Sequence, residues 1–222
     1  MITVHHLENS RSQRVLWLLE ELGVEYEVKR YDRDKKTNLA PATLKKVHPL
    51  GKSPVIEDRG AIYAETGAMM EYIVDQYGNG RLRPPQGGAL YEKYRYWMHA
   101  AEGSYMPPLV LTLMLNRMET APMPFFVRPL AKRLVKGVKD GYLDHTMKAL
   151  FDYLEAELST DAWLAGPDMT AADIIMSFPM EAFTARGNIK NYPNVAAAVT
   201  RIQQRPAYQR ALERGGPYAL MR

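Results

Sequence analysis

Residues 9–12 read Asn9-Ser10-Arg11-Ser12, which puts an amide, two hydroxyls and a guanidinium in four consecutive positions. They stand between a short β-rich run, residues 2–7, and a helical pattern in which Val15, Leu16, Leu18, Leu19 and Leu22 share one apolar face. Donors gathered where a strand turns into a helix favour a bound anion, because the helix start adds free N–H groups and the positive end of its dipole. The plainer alternative is that Asn9, Ser10 and Ser12 are caps and solvated loop residues. A second such place is Glu65-Thr66, where a strand leads straight into a helix start suited to a carboxylate. Lys52 is either a cation for a ligand or a surface lysine.

What the chain lacks narrows the chemistry. It has no cysteine in 222 residues, which excludes disulfides, Cys-based zinc sites and a catalytic thiol of its own. His5 and His6 are adjacent and point to opposite faces of a strand. His48, His99 and His145 are scattered, so no metal-ligand spacing is present and all five are expected to be structural or surface residues. A formal charge of +4 does not imply nucleic acid. Arg128, Lys132, Lys136 and Lys139 form a basic stripe, expected as a solvated face, with steering of an anionic substrate as the alternative. The start of the chain has no signal-peptide pattern, and the longest apolar stretch, Leu109 to Leu115, is too short to span a bilayer. The expectation is a cytoplasmic protein without membrane or nucleic-acid partners.

The elements that must position these residues follow in order. After the first helix, ended by Gly23, Tyr26 to Tyr31 alternates as a strand, and Pro41 opens a short helix through Lys46. Val55-Ile56 and Ala61-Ile62-Tyr63 flank Glu57-Asp58-Arg59-Gly60, a hairpin pattern entered at Pro54. Met69, Met70, Ile73, Val74 and Tyr77 then recur at helical spacing. This β-α-β-α-β-β-α order is thioredoxin-like, with right-handed βα crossovers. Residues 79–88 are rich in Gly and Pro and read as a linker. Beyond it the pattern is all helical: Ala89 to Met118 with a break near Pro107-Pro108, Phe125 to Leu158 with weak points at Gly137 and Gly141, a buried helix opened by the capping-box-like Thr170–Asp173, and two short helices from Pro193 onward. The expected domains are 1–78, α/β, and 89–222, all-α.

The Gly51-Lys-Ser-Pro54 stretch, Glu65-Thr66 and the Thr170–Asp173 box, in that order, resemble the soluble, bacterial-type glutathione S-transferases over nearly the whole chain. The resemblance implies a cis Ser53-Pro54 bond presenting backbone to the cysteinyl part of glutathione, Glu65 on the γ-glutamyl ammonium, Thr66 on its carboxylate, and Lys52 on the glycyl carboxylate. It also implies that a side chain of the 9–12 segment contacts the sulfur. The usual serine slot falls on Asn9, a departure from the pattern, so Ser10 ranks first by its hydroxyl, then Asn9, with Arg11 and Ser12 behind.

A free thiol titrates near ~8.5, so few molecules are thiolate at neutral pH. Lowering that value by ~2 units takes ~2.7 kcal/mol, within reach of a charged hydrogen bond plus a helix dipole. The implied activity is attack of the glutathione thiolate on a small hydrophobic electrophile, or reduction of a peroxide, with glutathione as co-substrate and no metal. An electrophile pocket is expected between the domains from Met98, Glu102, Tyr105 and Met106 with Phe125 and Phe126, residues that equally suit a core. A homodimer along the N-terminal domain and first long helix is also implied. The rival is a non-catalytic interaction or ligand-carrying module with the same fold.

Overall fold

The computed structural model describes residues 1–185, 189–216 and 218. Its first part runs β1 (Ile2–Leu7), α1 (Gln13–Leu22), β2 (Tyr26–Tyr31), a 3-10 turn (Ala42–Lys46), β3 (Val55–Asp58), β4 (Ala61–Ala64) and α2 (Thr66–Tyr77). The four strands form one mixed sheet in the order β2-β1-β3-β4. β1 and β2 are parallel, Ile2 opposite Tyr26, while β3 is antiparallel to both β1 and β4. This is the thioredoxin-like order expected. The element before β3 is only a 3-10 turn, and extended Pro41 (φ −66°, ψ 148°) caps it instead of opening it. Gly23 closes α1 in the left-handed region, as its position foretold.

The second part is helical: α3 (Ala89–Ala100), α4 (Met106–Thr120), α5 (Arg128–Val138), α6 (Asp144–Thr160), α7 (Ala171–Thr184), α8 (Pro193–Gln203) and α9 (Pro206–Gly215). Two long stretches are each broken by a π turn. The first break covers Ala101–Tyr105, just ahead of the expected Pro107-Pro108. Those prolines cannot donate to the carbonyls four residues back, Gly103 and Ser104, so the ladder loosens in the turn before them. The second break, Lys139–Leu143, contains Gly141, and α5 starts at Arg128, later than Phe125. The end of the chain, residues 219–222, lies outside the described residues.

Helix α1 is the joint between the layers. Nearly every side chain on it is buried, which a helix shows when it is covered on all sides. It packs against α2 on one hand and α7 and α9 on the other. The helical side clasps it from beyond: Arg205 donates to both oxygens of Glu21 at 2.5 and 2.9 Å, and Arg210 to Glu20 at 2.7 Å. Helix α7 is buried along its length and opened by the expected capping box. Asp173 accepts from the Thr170 backbone N–H and, beyond the box, from that of Leu164, both at 2.8 Å.

One polar side chain runs through this joint. Arg14 is 1 % exposed. Its Nη1 donates to the Ile175 carbonyl at 2.6 Å, its Nη2 to Glu102 at 2.5 Å, and its Nε to the Arg11 carbonyl at 3.3 Å. The Ile175 carbonyl is free because residue 179, whose N–H would normally take it, is the proline inside α7. Glu102 is free to reach across because it stands in the π turn after α3. Removing Arg14 leaves the buried Ile175 carbonyl without a partner, while Glu102 keeps Arg11. Arg14→Met should therefore lower stability by about 1–3 kcal/mol. In a Pro179→Ala background the loss should shrink by about 1 kcal/mol, because residue 179 regains an N–H for Ile175. Urea unfolding of the four proteins checks both.

Candidate active site

A cleft opens where the β1–α1 turn, the approach to β3 and the start of α2 meet. Arg11, His48, Leu50, Lys52, Ser53, Pro54, Val55, Ala64, Glu65 and Thr66 line it. The structure thus brings together all five residues expected to hold glutathione, and one of the four from the 9–12 segment. The Ser53-Pro54 bond is cis. The Ser53 hydroxyl is committed to the sheet, donating to the His5 carbonyl at 2.9 Å and accepting from the Leu7 N–H at 3.2 Å. It anchors the turn to β1.

Glu65 occupies the N-cap position of α2 at φ 69°, ψ 123°. A left-handed φ in a glutamate is strained, by about 1–3 kcal/mol, and such strain concentrates at functional sites. Its carboxylate makes no capping bond to the start of α2. The helix presents uncapped N–H groups and an acid together. Gly51, also left-handed, lets the chain pass Lys45, whose Cγ would lie 2.7 Å from an added Cβ.

The β1–α1 turn divides its side chains. Arg11 lines the cleft and pairs with Glu102 at 2.5 Å. Asn9 is exposed and left-handed at φ 48°, a conformation asparagine tolerates. Ser10 and Ser12 turn inward and are buried. Their hydroxyls lie 2.7 Å apart, and Ser12 continues to His6 Nδ1 at 2.8 Å. Ser12 stands at the N-cap of α1 but makes no side-chain cap bond. The residues expected around an electrophile do not share one environment. Met98 and Tyr105 are core residues, and the Tyr105 hydroxyl donates to the Leu150 carbonyl at 2.8 Å. Met106 is buried with them. Glu102 is held by two arginines, while Phe125 and Phe126, 82 % and 69 % exposed, precede α5.

Three residues near the site escaped the sequence reading of their roles. His48 stands in the cleft wall although it was expected to be an ordinary structural or surface residue; its place four residues before Lys52 was the available signal. His6 and Arg14 act through partners distant in sequence and carried none. Of the basic stripe, Arg128, Lys132 and Lys136 are exposed and Lys139 is half-buried; Lys136 pairs with Asp140, and Lys139 with Asn116 and Glu119. Among the described residues no group of His, Asp and Glu is placed to hold a metal ion, and no helix is long and apolar enough to cross a membrane.

Residues 1–75 match the glutathione S-transferase N-terminal domain, and residues 121–214 the glutathione S-transferase C-terminal domain. Glutathione S-transferase 3 of Schizosaccharomyces pombe is 38 % identical over 96 % of this chain and 88 % of its own length. The chain belongs to the glutathione S-transferase family. Glutathione S-transferase 1 of Saccharomyces cerevisiae is 32 % identical, over 96 % of this chain and 95 % of its own. A crystal structure of a glutathione S-transferase from Actinobacillus pleuropneumoniae superposes with a TM-score of 0.81 at 32 % identity, covering 97 % of this chain and 93 % of that one.

In this family member the group behind the β1–α1 turn is tuned by burial. Burial, then the charge of Arg30, pulls His6 down to about 4, against the opposing effect of the Gly215 carbonyl. An unfolded histidine titrates near ~6.5, so between these values the unfolded chain binds a proton that the folded one does not. Stability therefore falls as pH drops through that window, by up to about 3 kcal/mol from this residue. Urea unfolding at pH 7 and pH 4 should show a larger loss in the wild type than in His6→Asn.

Proposed function

We propose that the chain binds glutathione in this cleft and activates its thiol as a thiolate for attack on a small hydrophobic electrophile, with peroxide reduction as a second use of the same thiolate. The observation that carries this reading is the charge layout around the Ser53-Pro54 turn. Glutathione offers two carboxylates, one ammonium and a thiol. The cleft offers Glu65 for the ammonium, the uncapped start of α2 with Thr66 for the adjoining carboxylate, and Lys52 for the glycyl carboxylate. The sulfur is then directed to the β1–α1 turn beside Arg11. The electrophile enters next to it, where the π turn bearing Glu102 adjoins Arg11.

The same reading takes residues 1–78 as the glutathione-binding domain, 79–88 as the linker and 89–222 as the helical domain. It includes a homodimer formed along the first domain and α3, and a cytoplasmic setting. An exposed band on α3, with Tyr96 and with His99 4.0 Å from Glu71 of α2, supports the dimer surface.

Calorimetry tests the site. Wild-type protein should bind glutathione in the micromolar-to-millimolar range. Glu65→Ala should weaken binding at least about tenfold, the scale of one charge-assisted hydrogen bond lost. Glu65→Gly should lose binding equally, yet hold or raise stability by up to about 1 kcal/mol, because glycine relieves the left-handed φ. Absence of binding at millimolar glutathione would leave the non-catalytic module as the reading.

A further inference from the structure

Arg11, Lys52 and Glu65 are the charged side chains lining the cleft, and His48 is the other titratable one. In the reading above, Glu65 takes the glutathione ammonium, the start of α2 with Thr66 takes one carboxylate, and Lys52 takes the other. Every fixed charge of glutathione is then matched, and Arg11 is left over.

The Arg11 side chain is half used. Its Nη1 donates to Glu102 at 2.5 Å. Among the described residues no other group bonds the guanidinium, so Nε and Nη2 have no partner. These two nitrogens share one edge of the guanidinium plane, the fork that fits both oxygens of a carboxylate. Neither is among the buried polar atoms that lack a partner, and the side chain is 35 % exposed, so solvent reaches the fork. With Nη1 already held by the π turn, less freedom is lost when the fork closes on an anion.

Glu102 does not cancel the charge of Arg11. Its other oxygen is taken by Arg14 at 2.5 Å, so two guanidiniums share one carboxylate and a positive charge is left over. Arg14 is buried, and its remaining nitrogens donate to the carbonyls of Ile175 and Arg11. A ligand meets the surplus charge at Arg11.

We infer that Arg11 takes a carboxylate of the second substrate, so that the electrophile this cleft accepts is a small one carrying an acid group, such as an α,β-unsaturated acid. This rests on the glutathione reading of the cleft and narrows it. Addition to such an acceptor needs only the thiol and water. The thiol proton leaves to solvent, sulfur bonds to the β-carbon, the C=C electron pair moves to the α-carbon, and that carbon takes a proton from water. The thiolate is the rival anion for Arg11, so the test uses ligands in which the sulfur cannot ionise.

Calorimetry with two glutathione adducts meets that condition: the adduct of acrylate, which ends in a carboxylate, and the adduct of acrylamide, its uncharged counterpart. Both are thioethers and share every glutathione contact. Wild-type protein should bind the acid at least about tenfold tighter than the amide, the scale of one charge-assisted pair. In Arg11→Met the preference should shrink to within about twofold. Arg11→Lys, which keeps the charge without the fork, should lie between. Equal affinity of the wild type for the two adducts overturns the inference. So does a tenfold preference that survives in Arg11→Met, which would put the acid on His48 or Lys52. Should Arg11→Met fail to fold, an undiminished preference in Arg11→Lys overturns the fork. Failure of the wild type to bind glutathione and both adducts overturns the cleft's reading, whereas binding of all three without a preference for the acid overturns this inference and leaves that reading standing.

Discussion

A fully buried arginine at a domain joint is costly unless every donor finds an acceptor. The architecture gives each of the three Arg14 nitrogens one. Two local irregularities serve it: Pro179 withholds the N–H that would have occupied Ile175, and the π turn of residues 101–105 turns Glu102 toward the α/β layer. Neither layer can slide over the other without stranding a charge or a carbonyl. The proline and the widened turn, defects within their own helices, are what hold the two layers in register.

The same contact reaches the cleft. Glu102 divides its oxygens between Arg14, which is inaccessible, and Arg11, which faces the ligand space. The rest of the cleft is built from ends of elements: the entry to β3 tied to β1 by Ser53, and the strained, uncapped start of α2. Helix α2 is itself pinned from the far side, where buried Asp58 accepts the hydroxyls of Tyr72 at 2.7 Å and Tyr77 at 2.5 Å. Strain at Glu65 is tolerated because both flanks are tied down.

Much of this was legible from residues alone. Strand and helix order, the Gly23 stop, the hairpin and the Thr170 box rest on periodicity and caps, which act over a few residues. The cleft members Lys52, Ser53, Pro54, Glu65 and Thr66 were legible for a similar reason, since one hairpin and one helix start bring them together. The expected break at Pro107-Pro108 fell slightly early because the missing donors loosen the turn before them, where the carbonyls wait. Met98 and Tyr105 were ambiguous by type, and packing placed them in the core. The roles of Ser10 and Ser12 differ from that of Arg11 although the three are neighbours, because a tight turn sends adjacent side chains in opposite directions.

The amino-acid sequence by itself determined the succession of elements, the absence of a protein thiol, and the clustering of ligand-type residues at a hairpin and two helix starts. These depend on covalent neighbours and on side-chain periods of two and 3.6. Only the tertiary structure decided which hydroxyls turn inward, which arginine faces the cleft, and what holds the layers together. Those outcomes hang on partners 91 residues away for Arg11 and 161 for Arg14. No local propensity encodes such meetings, because they exist only once α1 is enclosed between the sheet and the helices.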